Sequence, residues 1–458
     1  MTYDFLQFVR DSKVPLYRQL YLSIRGAVES GHLKKGARLP SVRRLAGDLH
    51  MSCTTVESAY QQLCVEGYIH SVPQRGYFVL EAKRDGPERK KAPPAYRRPA
   101  SPAVRYNFGS DCVDIGNTDI KIWRRNVRSA LNRQNVLASY GGHQGEAELR
   151  EALSAYSYGA RGVTAAPEQI VIGAGTQPLL SILCGLIEPE RHSVALEKPG
   201  FPQAEQVFSD CGISVLKLPG DRDGIRMDSL EKSGTRLAYV SPSNRPCTGS
   251  AIPMSRRLEL LKWAKHTGGF LIEDDYNGEL RYRARPVPAM QGITGGESVV
   301  YLGSFSKLLL PSVRIGYMVL PPELLKKYLA RMANYNQTAS KVEQLALAEY
   351  IRSGQMERHL RRLRKLYGEK SETLIRALKN AFGGRVKILL QETPLTLILT
   401  VHTTADAETL CRLALKKSVR VQSTEDGRVR LGFAGIPLGN IEAAVEALKD
   451  AWKDVWEA

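Results

Sequence analysis

"GSFSKLLLPSVRIGYM", residues 303–318, decides how this chain is read. It places Lys307 just after two serines, Ser304 and Ser306, and seven residues before Arg314. Lysine and arginine together number 65, so charge alone does not distinguish Lys307. Its setting does. "SVVYLGS" before it and "RIGYMVL" around its far end are near-continuous apolar runs, the pattern of strands buried on both faces.

Working outward, "QIVIGAG", "SVALEK", "ISVLKL", "RLAYVS" and "GGFLIEDD" read the same way. Helical stretches such as "GTQPLLSILCGLI" and "PMSRRLELLKWAKHTG" lie between them. That alternation predicts an α/β sheet with helices on both faces. After residue 340 come long helical patterns, then "VKILLQETPLTLILTV", "RVQST", "RVRLGFA" and a final helix from Asn440. These predict a smaller α+β domain.

A lysine held in place forms a Schiff base with an aldehyde cofactor, of which pyridoxal 5'-phosphate (PLP) is the usual one. PLP needs a phosphate cradle, an acid opposite the ring nitrogen, a donor to the phenolic oxygen and a flat group on the ring. "VIGAGTQPLL" leads a strand into a helix start, where N–H groups of Gly175 and Thr176 can meet a phosphate. "LIEDDYNGELRY" ends a buried strand with three carboxylates and a tyrosine: a carboxylate that stays ionised suits the ring nitrogen, and Tyr276, two residues after Asp274, can reach the phenolic oxygen. Phe201 in "EKPGFPQ" offers an apolar face. Ser304, Ser306 and Arg314 flank Lys307 and suit phosphate oxygens. Each feature alone is commoner as a turn, a solvated acid cluster or a core aromatic. Their order along the chain is what argues for a site.

At 458 residues two or three domains are expected. No apolar run is long enough for a membrane span, and "MTYDFLQFVRDSK" reads as no signal peptide. Seven scattered cysteines without a CxxC pair predict a reducing cytoplasm and no metal site. The net charge of +18 favours polyanionic partners. Residues 81–105, with five prolines and many charges, read as a basic linker between a head, 1–80, and a body, 106–458. Extended, it would reach on the order of 70 Å.

In the head, Ser41 can cap a short helix carrying Val42, Leu45 and Leu49. Ser52 can cap a second, on which Val56, Ala59, Tyr60 and Leu63 form one stripe. "YIHSV" and "GYFVL" around "PQR" then predict a β-hairpin. Helix, turn, helix, hairpin is a winged helix-turn-helix, whose second helix enters the major groove.

These residues resemble the DNA-binding domain of the GntR family. The likeness spans about residues 13–80 and includes "G-x-x-x-x-G-x-R-L-P-S-x-R-x-L-A" from Gly31. It implies Arg38, Ser41, Arg43, Thr54 and Thr55, with wing residues Arg75 and Gly76, as contacts to double-stranded operator DNA. Cys53 departs from the family, which usually has arginine there. Residues 106–458 resemble the fold type I aminotransferases, with large and small domains. Head and body together are similar to the MocR subfamily of GntR regulators, on "GGHQGEAELREALSAYSYGARGV", "EDDYNGELRY" and "YLGSFSKLLLPSVRIGYM".

The resemblance implies Lys307 as the Schiff-base lysine, Asp274 as the pyridine partner, Tyr276 as the phenolic-oxygen donor and Phe201 as the stacking residue. Gly175, Thr176, Ser304 and Arg314 would hold phosphate. Tyr140 would reach the phosphate of a second subunit in a head-to-tail homodimer. Arg430 would grip the carboxylate of an amino-compound effector. "PSNRPCTG", residues 242–249, departs from the family at Asn244, Pro246 and Cys247. Pro246 stands where true aminotransferases carry a donor asparagine, and proline cannot donate. The expected function is therefore a PLP-dependent transcriptional regulator sensing PLP or an amino compound. The alternative is a working aminotransferase with an appended DNA module, and any transamination is expected to be weak.

Overall fold

A computed structural model of the chain describes residues 14–80, 103–110, 112–187, 193–245, 250–282, 287–389 and 395–456. Contacts divide the chain into two compact units, 1–101 and 102–458. No helix among the described residues is long and apolar enough to cross a membrane.

The first unit is built from local signals. Helices run Leu16–Glu29, Val42–Asp48 and Cys53–Val65. Ser41 Oγ accepts from Arg44 N–H at 3.3 Å, and Ser52 Oγ accepts from Thr55 N–H at 3.1 Å, so each short helix starts at a side-chain cap. Val56, Ala59, Tyr60 and Leu63 are all 0% exposed. They pack against Leu20, Ile24, Val28 and Leu45, the buried faces of the other two helices. The hairpin pairs Ile69–Val72 with Gly76–Val79, Ile69 opposite Val79. Gln74 takes the left-handed conformation (φ 61°) in its turn. Residues 36–39 lie along the second strand: Gly36 N–H donates to Val79 O at 2.8 Å and Leu39 N–H to Tyr77 O at 2.9 Å.

The second unit is organised by an eight-stranded sheet. Its order is Ile170–Gly173, Gly316–Val319, Val299–Ser304, Phe270–Asp274, Leu237–Val240, Ser193–Lys198, Ser214–Asp221 and Gly224–Ile225. The five strands from Val299–Ser304 to Ser214–Asp221 are parallel. Gly316–Val319 runs antiparallel to both of its neighbours. Strand alternation feeds both faces. Val300 and Leu302 pack with the helices Thr176–Ile187 and Pro202–Asp210, while Tyr301 joins the core on the opposite face. A smaller antiparallel sheet orders Val386–Leu389, Thr396–Val401, Val429–Gly432 and Gln422–Ser423. The helices Gln355–Phe382, Ala407–Lys416 and Ile441–Trp452 share its core.

One contribution to this smaller region comes from far upstream. Tyr106–Asn107 pairs in parallel with Val419–Arg420, and Arg105 N–H donates to Ser418 O at 2.8 Å. The strap continues past the small sheet: Gly432 N–H donates to Phe108 O at 2.7 Å. It is pinned by a buried ion pair, Lys370 Nζ to Asp114 Oδ2 at 2.5 Å, with a second bond from Lys370 to Ala434 O at 2.8 Å. Removing one partner of such a pair strands a charge in the core and costs about 3–5 kcal/mol. Asp114→Ala is therefore expected to lower chemical-denaturation stability by about that amount, and Asp114→Ala/Lys370→Met to recover part of it. Equal stability of wild type and Asp114→Ala would contradict the pair's role.

Candidate functional site

The parallel strands end along one edge, and Gly175, Thr176, Phe201, Asp274, Tyr276, Lys307 and Arg314 follow or end strands there. Gly175 and Thr176 follow Ile170–Gly173, Asp274 ends its strand with Tyr276 just beyond, and Lys307 follows Val299–Ser304. Arg314 precedes Gly316, whose partners are Gly173 and Ser304. Phe201 lies three residues past the end of Ser193–Lys198 and starts the helix Pro202–Asp210. The carboxyl edge of an open α/β sheet is where such folds bind ligands.

The details sort the expected roles. Lys307 Nζ donates to Ser110 O on the strap at 2.6 Å. Arg314 is left-handed (φ 51°) and donates to Ala174 O at 3.2 Å. A Cβ on Gly175 would lie 2.8 Å from Arg314 Nη2, so glycine keeps open the space between this turn and the guanidinium. The N–H of Gly175 itself donates to Gly173 O at 2.8 Å, a change from the expected free donor. The tight turn into the helix spends it. Thr176 heads the twelve-residue helix Thr176–Ile187. Ser304 Oγ accepts from Ser306 N–H at 3.3 Å. Phe201 stacks near-parallel with Tyr276 (6.1 Å, 21°) and with Tyr239 (6.3 Å, 9°).

The three carboxylates of "EDD" divide by strand alternation. Glu273 accepts the N–H groups of Met290 and Gln291 at 2.8 and 2.9 Å. Asp275 is ion-paired with Arg161 at 2.6 Å and accepts Tyr301 OH at 2.9 Å, which together hold it below the usual carboxylate range. Asp274, between them, accepts Tyr239 OH at 2.5 Å. Burial, with Asp275 adjacent, pushes its carboxyl up to about 7. Burial also raises Glu273 to about 7. Sequence reasoning missed Tyr239, Arg161 and Ser110. Alternation along "FLIEDD" could have separated Asp274 from its neighbours. Nothing local marks Ser110.

Arg430 lies on Val429–Gly432 with Gln422 as its cross-strand partner, so the two side chains share a face. Gln422 Oε1 accepts Ser110 N–H at 3.0 Å. Gln422, beside Arg430 in the sheet, thus bonds to Ser110, which in turn accepts from Lys307. Tyr140 is fully exposed, at 102%. Asn244 and Arg245 are buried, and Arg245 pairs with Glu197 and donates to the carbonyls of Arg222 and Asp221. Pro246 and Cys247 lie outside the described residues.

In the first unit Arg38, Ser41, Arg43, Thr54 and Arg75 are exposed, while Thr55 and Gly76 are half-buried. Arg38 bridges Phe78 beside the wing, and a Cβ on Gly76 would lie 3.6 Å from its Nε. Arg38, three residues before the cap Ser41, is thereby held against the wing. The hydroxyls of Thr54 and Thr55 both bond to the cap Ser52, at 2.8 and 2.7 Å.

Residues 107–448 match the family described as aminotransferase class I and II, and residues 16–79 match the gntR family of bacterial regulatory proteins. The chain is 37% identical to the HTH-type transcriptional regulator YdeL of Bacillus subtilis, covering 97% of this chain and 98% of that one. It is 31% identical to the probable rhizopine catabolism regulatory protein MocR of Rhizobium meliloti, covering 97% and 95%. Among solved structures, α-aminoadipate aminotransferase LysN of Thermus thermophilus, complexed with N-(5'-phosphopyridoxyl)-L-leucine, superposes with a TM-score of 0.69 at 25% identity, over 77% of this chain and 92% of that one. The chain belongs to the class I and II aminotransferase family and, through its gntR-type head, to the HTH-type transcriptional regulators of the MocR kind.

Proposed function

We propose that this regulator carries PLP at Lys307, binds operator DNA through its head, and responds to PLP or to a primary amine with a carboxylate. The observation that carries this reading is the convergence of Thr176, Phe201, Asp274, Lys307 and Arg314 on one strand edge. The residues fit the cofactor. The gap that a Cβ at Gly175 would fill lies against Arg314, as a phosphate requires. The LysN complex, with its phosphopyridoxyl group, supports the same assignment.

PLP, when bound, supplies an electron-withdrawing ring and a carbonyl carbon open to amines. The chain supplies position and charge. The start of Thr176–Ile187 offers the positive end of a helix dipole to phosphate, and Arg314 and Ser304 add donors. Phe201 would cover the ring. Asp274, its carboxyl raised to about 7, is held ionised once a ring N–H cation faces it. Tyr276 would donate to the phenolic oxygen. Arg430 would pair with the effector carboxylate, and its cross-strand neighbour Gln422 bonds to Ser110, the acceptor of Lys307. We further propose a head-to-tail homodimer, because Tyr140 is bulky and wholly uncovered on one chain. Arg38, Ser41, Arg43, Thr54, Thr55, Arg75 and Gly76 form the DNA face of the head.

Lys307→Ala is expected to lose the visible absorption of lysine-bound PLP, to keep DNA affinity in a gel-shift titration, and to lose the transcriptional response to added amino acids. A variant with an unchanged spectrum would remove Lys307 from the site. Arg430→Ala is expected to keep the spectrum and weaken only the amino-acid response.

A second expectation follows from the buried carboxyl. Between about pH 4 and about pH 7 the folded chain holds a proton on Asp274 that the unfolded chain has lost. Its contribution to stability therefore falls as pH rises through that window. Asp274→Asn keeps an acceptor for Tyr239 and removes this cost. The cofactor-free variant should melt higher than wild type by a margin that grows from about pH 4 and is full above about pH 7, while retaining PLP poorly. Identical melting curves at every pH would contradict the raised carboxyl.

A further inference from the structure

Two helices of the body repeat one pattern of cations. In Ile120–Leu131, Lys121, Arg124, Arg125 and Arg128 stand at i, i+3, i+4 and i+7, and all four are exposed. In Gln355–Phe382, Arg358, Arg361, Arg362 and Lys365 repeat that spacing, again all exposed. The spacing puts each set on one helix face. Trp123, Asn126 and Ala130 fill the buried side of the first helix, which contains no acidic residue. The two stripes approach where Arg362 pairs with Asp119, the residue before the first helix. None of Lys121, Arg124, Arg125 and Arg128 has a carboxylate partner among the described residues.

Like charges at i, i+4 repel, so Lys121 with Arg125 and Arg124 with Arg128 each cost the helix a few tenths of a kcal/mol. Nearby arginines of the same body are neutralised, as Arg352 is by Glu148 and Glu151. Residues 106–458 also carry +9 of the chain's net +18. A cationic face left without acids in this setting fits a polyanion. We propose that it binds the phosphate backbone of duplex DNA outside the segment read by the head. Seven residues of helix rise about 10 Å, the axial span of about three phosphates on one strand. Duplex DNA is the occupant because the gntR-type head already brings it to this molecule. Contacts from such a face add affinity without sequence preference.

The test uses the full chain and a mixed-sequence duplex of about 60 base pairs, with binding measured against salt. Two backgrounds are compared, wild type and a head variant, Arg38→Gln/Arg43→Gln/Arg75→Gln. In each, Lys121→Gln/Arg124→Gln/Arg125→Gln/Arg128→Gln is added. The head variant should still bind the duplex. The body substitutions should weaken binding about tenfold or more in both backgrounds and reduce the slope of log affinity against log salt by about 2–4, each lost phosphate contact removing about 0.9. Unchanged affinity and slope in both backgrounds would overturn the proposal. So would loss of the dimer in sedimentation with affinity per subunit unchanged, which would make the face a subunit contact. If the fourfold variant fails to fold, Arg361→Gln/Lys365→Gln on the second helix carries the same test, with a slope reduction of about 2 expected.

Discussion

Three backbones crowd together at Gly316, and the geometry of the body site depends on that crowding. Gly316 pairs with Gly173 on one side and Ser304 on the other, and a Cβ there would lie 3.2 Å from backbone atoms of Gly175. At Gly316 and Gly173 the antiparallel strand and its neighbour meet with no side chain between them. Its entry brings Arg314, at its start, against the glycine turn that leads to Thr176. It also sets Ser304 opposite Gly316, three residues before Lys307. A side chain at Gly316 would push the guanidinium and the helix start apart. The placement of Arg314 against the glycine turn is thus a product of sheet packing and only secondarily of the loop that carries it.

Charge is arranged around the same edge with equal economy. Asp275 has an arginine, a tyrosine and a serine network behind it, and Glu273 has two backbone donors. Each belongs to the scaffold. Asp274 has a tyrosine hydroxyl and a raised proton affinity. Adjacent carboxyls on one strand thereby do different work, because alternation sends them to opposite faces. The strap supplies the remaining link. It gives Lys307 an acceptor at Ser110 and holds that residue from the other side through Gln422, the neighbour of Arg430.

Much of this was legible in the sequence, for local reasons. The head follows from two serine caps and an i, i+3, i+4, i+7 stripe, and the structure buries all four stripe residues fully. The buried strands follow from continuous apolar runs. Strand direction does not: "RIGYMVL" reads like its parallel neighbours, and only its pairing with Gly173 and Ser304 shows that it runs the other way. Tyr106–Asn107 was invisible because two residues carry no period, and its partners at Val419–Arg420 are remote in the chain. Lys307, Asp274 and Phe201 stood out because each ends or follows a strong strand pattern. Tyr239 did not, since a tyrosine inside a buried strand reads as core until its hydroxyl is seen against Asp274.

The cost of burying Asp274 makes it a witness of a kind the glycines cannot be. Gly173, Gly303 and Gly316 answer to the sheet, where a Cβ would meet Leu179, Tyr317 and Gly175. They would persist in a descendant that had abandoned its ligand, because losing them would break the fold. Asp274 answers to nothing in the scaffold that an asparagine could not satisfy, since its recorded partner among the described residues is one hydroxyl. Drift alone would discard a carboxyl that resists ionisation in the core. On the proposed reading the carboxyl is kept for the cofactor, and a relative with intact glycines and a neutral residue at this position would be expected to keep the fold and lose the cofactor.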